Sequence, residues 1–197
     1  MTNRIERCAP AGACSAKIEA NAMPNVSQPV EPVSIAVYNP LMAANGREIE
    51  RKFLLRGLPA DVSRHPSVLI DQGYIPGTAV RERVRRTQDG STLRYFRTIK
   101  VGTGIERFEF EEETTDTFFV AVWPLTEGHR VRKRRYMVPS GGKTWEVDEF
   151  LDRHAFFLAE IELERADESV TPPAEIAAVI VREVTDEPGF SNYRLSR

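Results

Sequence analysis

Cysteine is almost missing from this 197-residue chain: Cys8 and Cys14 are the two, both near the N-terminus, with no histidine or second cysteine pair beside them. That pattern excludes a disulfide-built scaffold and makes a zinc site unexpected. Histidine is equally scarce, and His65, His129 and His154 are too dispersed to form a ligand set or a catalytic triad. No apolar run is long enough to span a bilayer and no secretory signal pattern is present, so no membrane partner is expected and the protein should be soluble and cytoplasmic. Excess charge is lacking too: 27 basic residues against 29 acidic ones leave a net charge of -2, which argues against a general nucleic-acid-binding surface. The run Ser140-Gly141-Gly142-Lys143 has neither the Walker pattern nor a following helix. The basic stretch Arg130 to Arg135 has no interleaved aromatics on which bases could stack.

What the chain does have is charge sorted by sign. In Glu48-Ile49-Glu50-Arg51-Lys52-Phe53-Leu54, strand alternation puts Ile49 and Phe53 on one face and Glu48, Glu50 and Lys52 on the other, with neighbouring carboxylates about 7 Å apart. The pattern returns repeatedly. Arg81, Arg83 and Arg85 share a face; Arg107, Glu109 and Glu111 share one opposite Phe108 and Phe110; Lys133 is in phase with Arg135. Trp145 and Val147 oppose Glu146 and Asp148, and Ala159, Ile161 and Leu163 oppose Glu160, Glu162 and Glu164. A half-exposed antiparallel sheet also alternates, but its wet face mixes charges with Ser, Thr and Gln. Grouped carboxylates need cations and grouped arginines need anions, so the charged face is expected to be concave, holding metal ions and a polyanion. The apolar face then requires a cover. The expected fold is α+β: a closed antiparallel β-barrel, a tunnel of about eight strands with a charged interior, with helices packed outside.

The length suits one domain. Residues 1–46 are rich in proline and aperiodic, so they are expected to form an extension without fixed structure, in which only Val33 to Tyr38 could pass as a strand; Met42 is an alternative start. Residues 47–197 form the expected domain. Within it, Thr114 to Leu125 has capping residues followed by Phe118, Phe119, Val122 and Trp123 on one side, which predicts a helix packed on the barrel. Pro172-Pro173-Ala174 predicts the start of another, running to about Val184. Leu58 to Ser67 reads as a loop with a short helix, and Gly102 to Gly104 and Ser140 to Lys143 as hairpin turns.

From about Glu48 onward the chain resembles a CYTH domain, of the triphosphate tunnel metalloenzymes. The resemblance rests on the Glu-x-Glu-x-Lys strand, Arg83 and Arg85, Thr98-Ile99-Lys100, Glu109 and Glu111, Lys133 and Arg135, Glu146 and Asp148, and Glu160-Ile161-Glu162. Gln72-Gly73-Tyr74, Glu127-Gly128, Glu183-Val184-Thr185 and Phe190-Ser191-Asn192 agree with it. It implies metal-dependent hydrolysis of inorganic tripolyphosphate or a related triphosphate. On this reading Lys52, Arg83, Arg85, Lys100, Lys133 and Arg135 cradle the phosphates, since guanidinium and ammonium groups suit their oxygens. Mg²⁺ or Mn²⁺ would be held by Glu48, Glu50, Asp148, Glu160 and Glu162. These five, with Lys52, are the expected catalytic group, and Glu109, Glu111 and Glu146 complete the acidic wall. Members of the family often carry a further lysine in the final segment, where this chain reads Asn192-Tyr193-Arg194. Either Arg194 replaces it or that phosphate contact is missing. The alternatives on the same scaffold are a class IV type adenylate cyclase, a thiamine triphosphate or nucleotide hydrolase, and a non-catalytic polyphosphate-binding module. No aromatic or amide set reads as a base pocket. The expected partner is a small triphosphate, and a homodimer is left open.

Overall fold

The computed structural model describes residues 46–77, 80–102 and 105–197. The expectations for Cys8, Cys14 and the Val33–Tyr38 strand, and for Gly104, fall outside the described residues. Nine segments of alternating pattern form strands: β1 (Arg47–Leu55), β2 (Ser67–Ile75), β3 (Arg81–Asp89), β4 (Thr92–Val101), β5 (Glu106–Thr114), β6 (Arg130–Ser140), β7 (Lys143–Phe150), β8 (Phe157–Glu162) and β9 (Ile180–Glu183). Their order is β5-β4-β3-β2-β6-β7-β8-β1-β9, and β5 also pairs with β1, so eight strands close into an antiparallel barrel. Closure gives the alternation two distinct destinations, one inside and one outside.

β1 is the closing strand, and its two edges are used differently. One edge lies along β8, with Glu50 opposite Glu162 and Lys52 opposite Glu160. The other edge pairs with β5 over Arg47 to Ile49 and with β9 over Phe53 to Leu55. Between these two partners the backbone of Glu50 donates to the Ile105 carbonyl and that of Lys52 to Thr185 Oγ1, at 3.2 and 3.0 Å. The Glu-x-Lys pair therefore sits where the barrel wall changes partner, with its main chain satisfied by loop residues.

The first helix, α1 (Asp116–Val122), is capped by Thr115 Oγ1, which accepts from the Phe118 amide at 3.1 Å, and continues as a 3-10 turn over Trp123–Thr126. That turn packs so closely on the barrel that a Cβ on Gly73 would lie 2.3 Å from Thr126 Oγ1, which is why β2 needs glycine there. The second helix, α2 (Ala174–Ala177), is one turn long. The helix predicted to run to Val184 is thus a correction: beyond one turn, β-branched Ile180 and Val181 extend instead, because the C-terminal half of β1 offers them an unpaired strand edge. Gly141 and Gly142 take the positive φ values of 60° and 79° that turn β6 into β7. Among the described residues no helix is long and apolar enough to cross a membrane.

The outward face carries the main core. Ile49, Phe53 and Leu55 of β1 pack with Tyr136, Val138, Trp145, Val147, Ala159 and Ile161 of the neighbouring strands and with Ile176 of α2. Beyond Lys52, Lys133, Asp148 and Glu160 the inward face turns apolar: Val131, Phe150 and Leu158 pack with Val184 and with Leu195 of the last helix, α3 (Asn192–Leu195). Leu54, Phe156 and Phe190 lie against this cluster. It gives one end of the charged interior an apolar floor.

Candidate functional site

Strand register brings the expected residues together inside the barrel. Seven cations (Lys52, Arg83, Arg85, Lys100, Arg107, Lys133 and Arg135) interleave with eight carboxylates (Glu48, Glu50, Glu109, Glu111, Glu146, Asp148, Glu160 and Glu162). They fall into three groups.

On β3 to β5, Arg83 is held by Thr98 Oγ1 at 2.9 Å, by Glu111 at 2.9 Å and by Glu109 at 3.3 Å, and Arg85 by Glu111 at 2.5 Å. Thr98 in turn donates to Glu111 at 2.7 Å. Burial opposes ionisation of Glu109 and Glu111, but Lys100 and Arg83 hold Glu109 down at about 2, and Arg85 and Arg83 do the same for Glu111.

On β6 to β8, Asp148 is fully closed to solvent, with its two oxygens accepting from Arg135 at 2.7 and 2.6 Å and from Lys133 at 2.5 Å. Arg135 also meets Glu160 at 2.6 Å, and Glu146. Burial, together with Arg135, pushes the Lys133 ammonium down to about 8 against the pull of Asp148 and Glu160. Asp148, expected among the metal ligands, thus stands as the buried counter-ion of two cations.

At β1 the carboxylates and cations alternate. Lys52 meets Glu160, and Glu50 at 3.3 Å; Lys100 meets Glu109, and Glu48 at 3.2 Å. Burial disfavours the Glu160 carboxylate, yet Lys52, Lys133 and Arg135 hold it well below the usual range. Arg107 pairs with Glu48 at 2.7 Å and with Glu50 at 2.5 Å. This arginine was missing from the expected cradle, although its phase with Glu109 and Glu111 was the signal for it. Arg194 is not brought to the group: it is exposed on α3, and the residue of that segment nearest the charged interior is Asn192, whose Oδ1 lies 3.5 Å from Lys133 Nζ.

Glu162 differs from the rest. Its side chain is exposed and has no ion pair among the described residues, and the partial desolvation of its carboxyl, followed by Glu48, Glu146, Glu50 and Glu109, pushes it up to about 7. The folded protein therefore prefers it protonated: its stabilising contribution is complete below the ordinary value of 4.5 and is lost as pH rises through about 7. In metal-free buffer at pH 8, Glu162→Gln should raise stability by about 1 kcal/mol once solvent screening is allowed for, or about 2–4 °C in Tm. The gain over the unmodified protein should vanish by pH 4.5. Thermal melts at both pH values check it, and a Glu162→Gln protein that melts lower at pH 8 would contradict it.

The donor set suits a hard divalent cation, since Glu48, Glu50 and Glu162 offer carboxylate oxygens and Glu162 lacks a counter-charge. As they stand, however, no three carboxylates among the described residues are grouped to hold a metal ion.

No protein-family model matches this chain. Two curated proteins do, each named inorganic triphosphatase. The one from Nitrosomonas europaea is 35% identical over 154 residues, 76% of this chain and 96% of that protein. The one from Acetivibrio thermocellus is 36% identical over 155 residues, 76% of this chain and 93% of its own. Among solved structures, the crystal structure of an inorganic triphosphatase matches with a TM-score of 0.52 at 33% identity, covering 76% of this chain and 93% of that one. Similarity at that level over nearly the whole of each relative, in a closed barrel with a charged interior, means that the chain belongs to the CYTH, or triphosphate tunnel metalloenzyme, family.

Proposed function

We propose that this protein hydrolyses inorganic tripolyphosphate inside the barrel, with Mg²⁺ or Mn²⁺ as cofactor. The observation that carries the reading is the charge balance of the interior: among the described residues eight carboxylates stand against seven cations, or eight with Arg81 on the same face of β3, which leaves no positive surplus. A tripolyphosphate brings about four negative charges, which the side chains cannot neutralise unaided in a partly dry site. Divalent cations entering with it supply what is missing. The names of the two curated relatives support the same substrate.

Glu48, Glu50 and Glu162 would hold the metal, with Glu160 beside them on Lys52. A bound divalent cation supplies Lewis-acid polarisation of the phosphoryl group. Arg83, Arg85 and Lys100 line one wall and Lys52, Lys133 and Arg135 the other, so phosphate oxygens exchange for carboxylate oxygens on side chains already aimed inward. Thr98 and Asp148 keep Arg83 and Arg135 aimed there. Beyond Lys133 the interior ends in the apolar floor of Val131, Phe150 and Leu158.

Tripolyphosphate should therefore be the best substrate, with ATP hydrolysed far more slowly, because the binding contacts are directed at phosphate oxygens. Arg83→Ala or Arg85→Ala should lower kcat/KM by about 2 to 4 kcal/mol, the scale for removing one partner of a desolvated charge pair. Competitive kinetics measuring phosphate, pyrophosphate and cyclic AMP release decide it. A higher specificity constant for ATP or thiamine triphosphate would move the protein to the organic-triphosphate class, and cyclic AMP release to the cyclases.

The domain is assigned to residues 47–197. Removing residues 1–42 should leave both activity and Tm nearly unchanged, since the pairing that closes the barrel begins at Arg47. A fall of many degrees in Tm would overturn the assignment.

A further inference from the structure

Arg107 stands in the way of the metal. Its guanidinium bridges Glu48 and Glu50, two residues apart on the same inward face of β1, and its side chain is 13% exposed. Those are two of the three carboxylates assigned to the cation, and the third, Glu162, lies directly across the β1 and β8 ladder from Glu50. The other cations each meet one of these two carboxylates: Lys52 meets Glu50 and Glu160, and Lys100 meets Glu48 and Glu109. Arg107 meets both, through Glu48 Oε2 and Glu50 Oε1. With the guanidinium in place, no group of three carboxylates is arranged to bind a metal among the described residues.

We infer that Arg107 is an internal counter-cation that holds the metal-free site together and is displaced when a divalent cation takes Glu48 and Glu50. A planar fork fits two carboxylates side by side, while Mg²⁺ and Mn²⁺ demand octahedral oxygens at about 2.1 Å, so the two occupants exclude each other. The site thus keeps one positive charge between Glu48 and Glu50 before the metal arrives, and turns a guanidinium toward the tunnel afterwards. The inference rests on the assignment of the metal to Glu48, Glu50 and Glu162.

Manganese binding without substrate, read from the electron paramagnetic resonance of free Mn²⁺, tests it. Arg107→Gln should bind Mn²⁺ roughly tenfold to a hundredfold more tightly than the unmodified protein, the change expected when a competing charge-assisted contact is removed. Loss of a nearby positive charge would tighten binding somewhat in any case, so Arg83→Gln is the comparison: it removes the same charge from the tunnel but touches Glu109 and Glu111 instead. Arg107→Lys should stay close to the unmodified affinity. Should Arg107→Gln fold poorly without metal, the Arg107 side-chain Nε–H resonance of the unmodified protein gives the same answer, and it should shift on adding Mg²⁺. Equal tightening in Arg107→Gln and Arg83→Gln, or an Arg107 resonance unmoved by saturating Mg²⁺, overturns the inference. The two readings fail separately: selective tightening in a protein that hydrolyses no triphosphate leaves the displacement standing and removes the proposed activity. Metal-dependent hydrolysis without selective tightening does the reverse.

Discussion

Tripolyphosphate turnover should fall by at least about a thousandfold in Glu50→Gln at saturating Mg²⁺, while the protein stays folded. Glutamine keeps the shape of the side chain and removes one negative charge from the centre of the assigned metal group. Glu50 is the right position for the test because it touches both kinds of neighbour: Lys52 at 3.3 Å and Arg107 at 2.5 Å on the cationic side, and Glu162 across the ladder. Neither cation is stranded by the change, since Lys52 retains Glu160 and Arg107 retains Glu48. Phosphate release measured beside a melting curve separates the two effects. Turnover within tenfold of the unmodified protein, or full hydrolysis in excess EDTA, would refute the metal assignment.

Asp148→Ala should cost about 3–5 kcal/mol of folding stability, the scale for removing one partner of a buried ion pair. The reason is that Glu160, the other carboxylate acting on Lys133, already serves Lys52 and Arg135. Arg135 has Glu160 and Glu146, but the Lys133 ammonium is wholly buried and already pushed down to about 8, so losing its nearest carboxylate leaves it to deprotonate or to unfold the barrel locally. A domain of this size has about 5–15 kcal/mol in total, so the variant should be marginal at 37 °C. Urea denaturation of Asp148→Ala beside the unmodified protein measures it. A loss below about 1 kcal/mol would show that Asp148 is not the counter-ion on which this wall depends.

The barrel was legible because strand alternation reports faces, and charge sorted by sign reports which face is enclosed. Depth along the barrel axis was not legible. Glu146 and Asp148 are two residues apart on one face and read alike in sequence, yet the Glu146 side chain is 37% exposed and that of Asp148 is closed off, because Lys133 and Arg135 lie over the latter together. Cross-strand partnership was equally invisible: the sequence shows Arg107 sharing a face with Glu109 and Glu111, whereas its pairing with Glu48 depends on barrel closure. The helix expected after Pro173 shows local signals losing to tertiary context, since the vacant edge of β1 drew Ile180 and Val181 into a strand. The resemblance left open whether Arg194 replaces a phosphate-binding lysine or that contact is missing; Arg194 is exposed on α3, while Asn192 Oδ1 lies 3.5 Å from Lys133 Nζ.

The divided edge of β1 also sets an order in time. Its ladder partners lie about 60 residues away in β5 and about 110 away in β8, and both must exist before the first strand can be locked in place. Pairings so distant in sequence carry a large loop-closure entropy and fold slowly. The meander from β2 to β5 can assemble from neighbours alone, whereas β1, the first strand in sequence among the described residues and the one bearing Glu48, Glu50 and Lys52, has to wait for β5 and β8. Carboxylates on a strand that waits outside the barrel stay hydrated, which avoids burying them unpaired. On that order the charged site would be completed only as β1 closes the barrel.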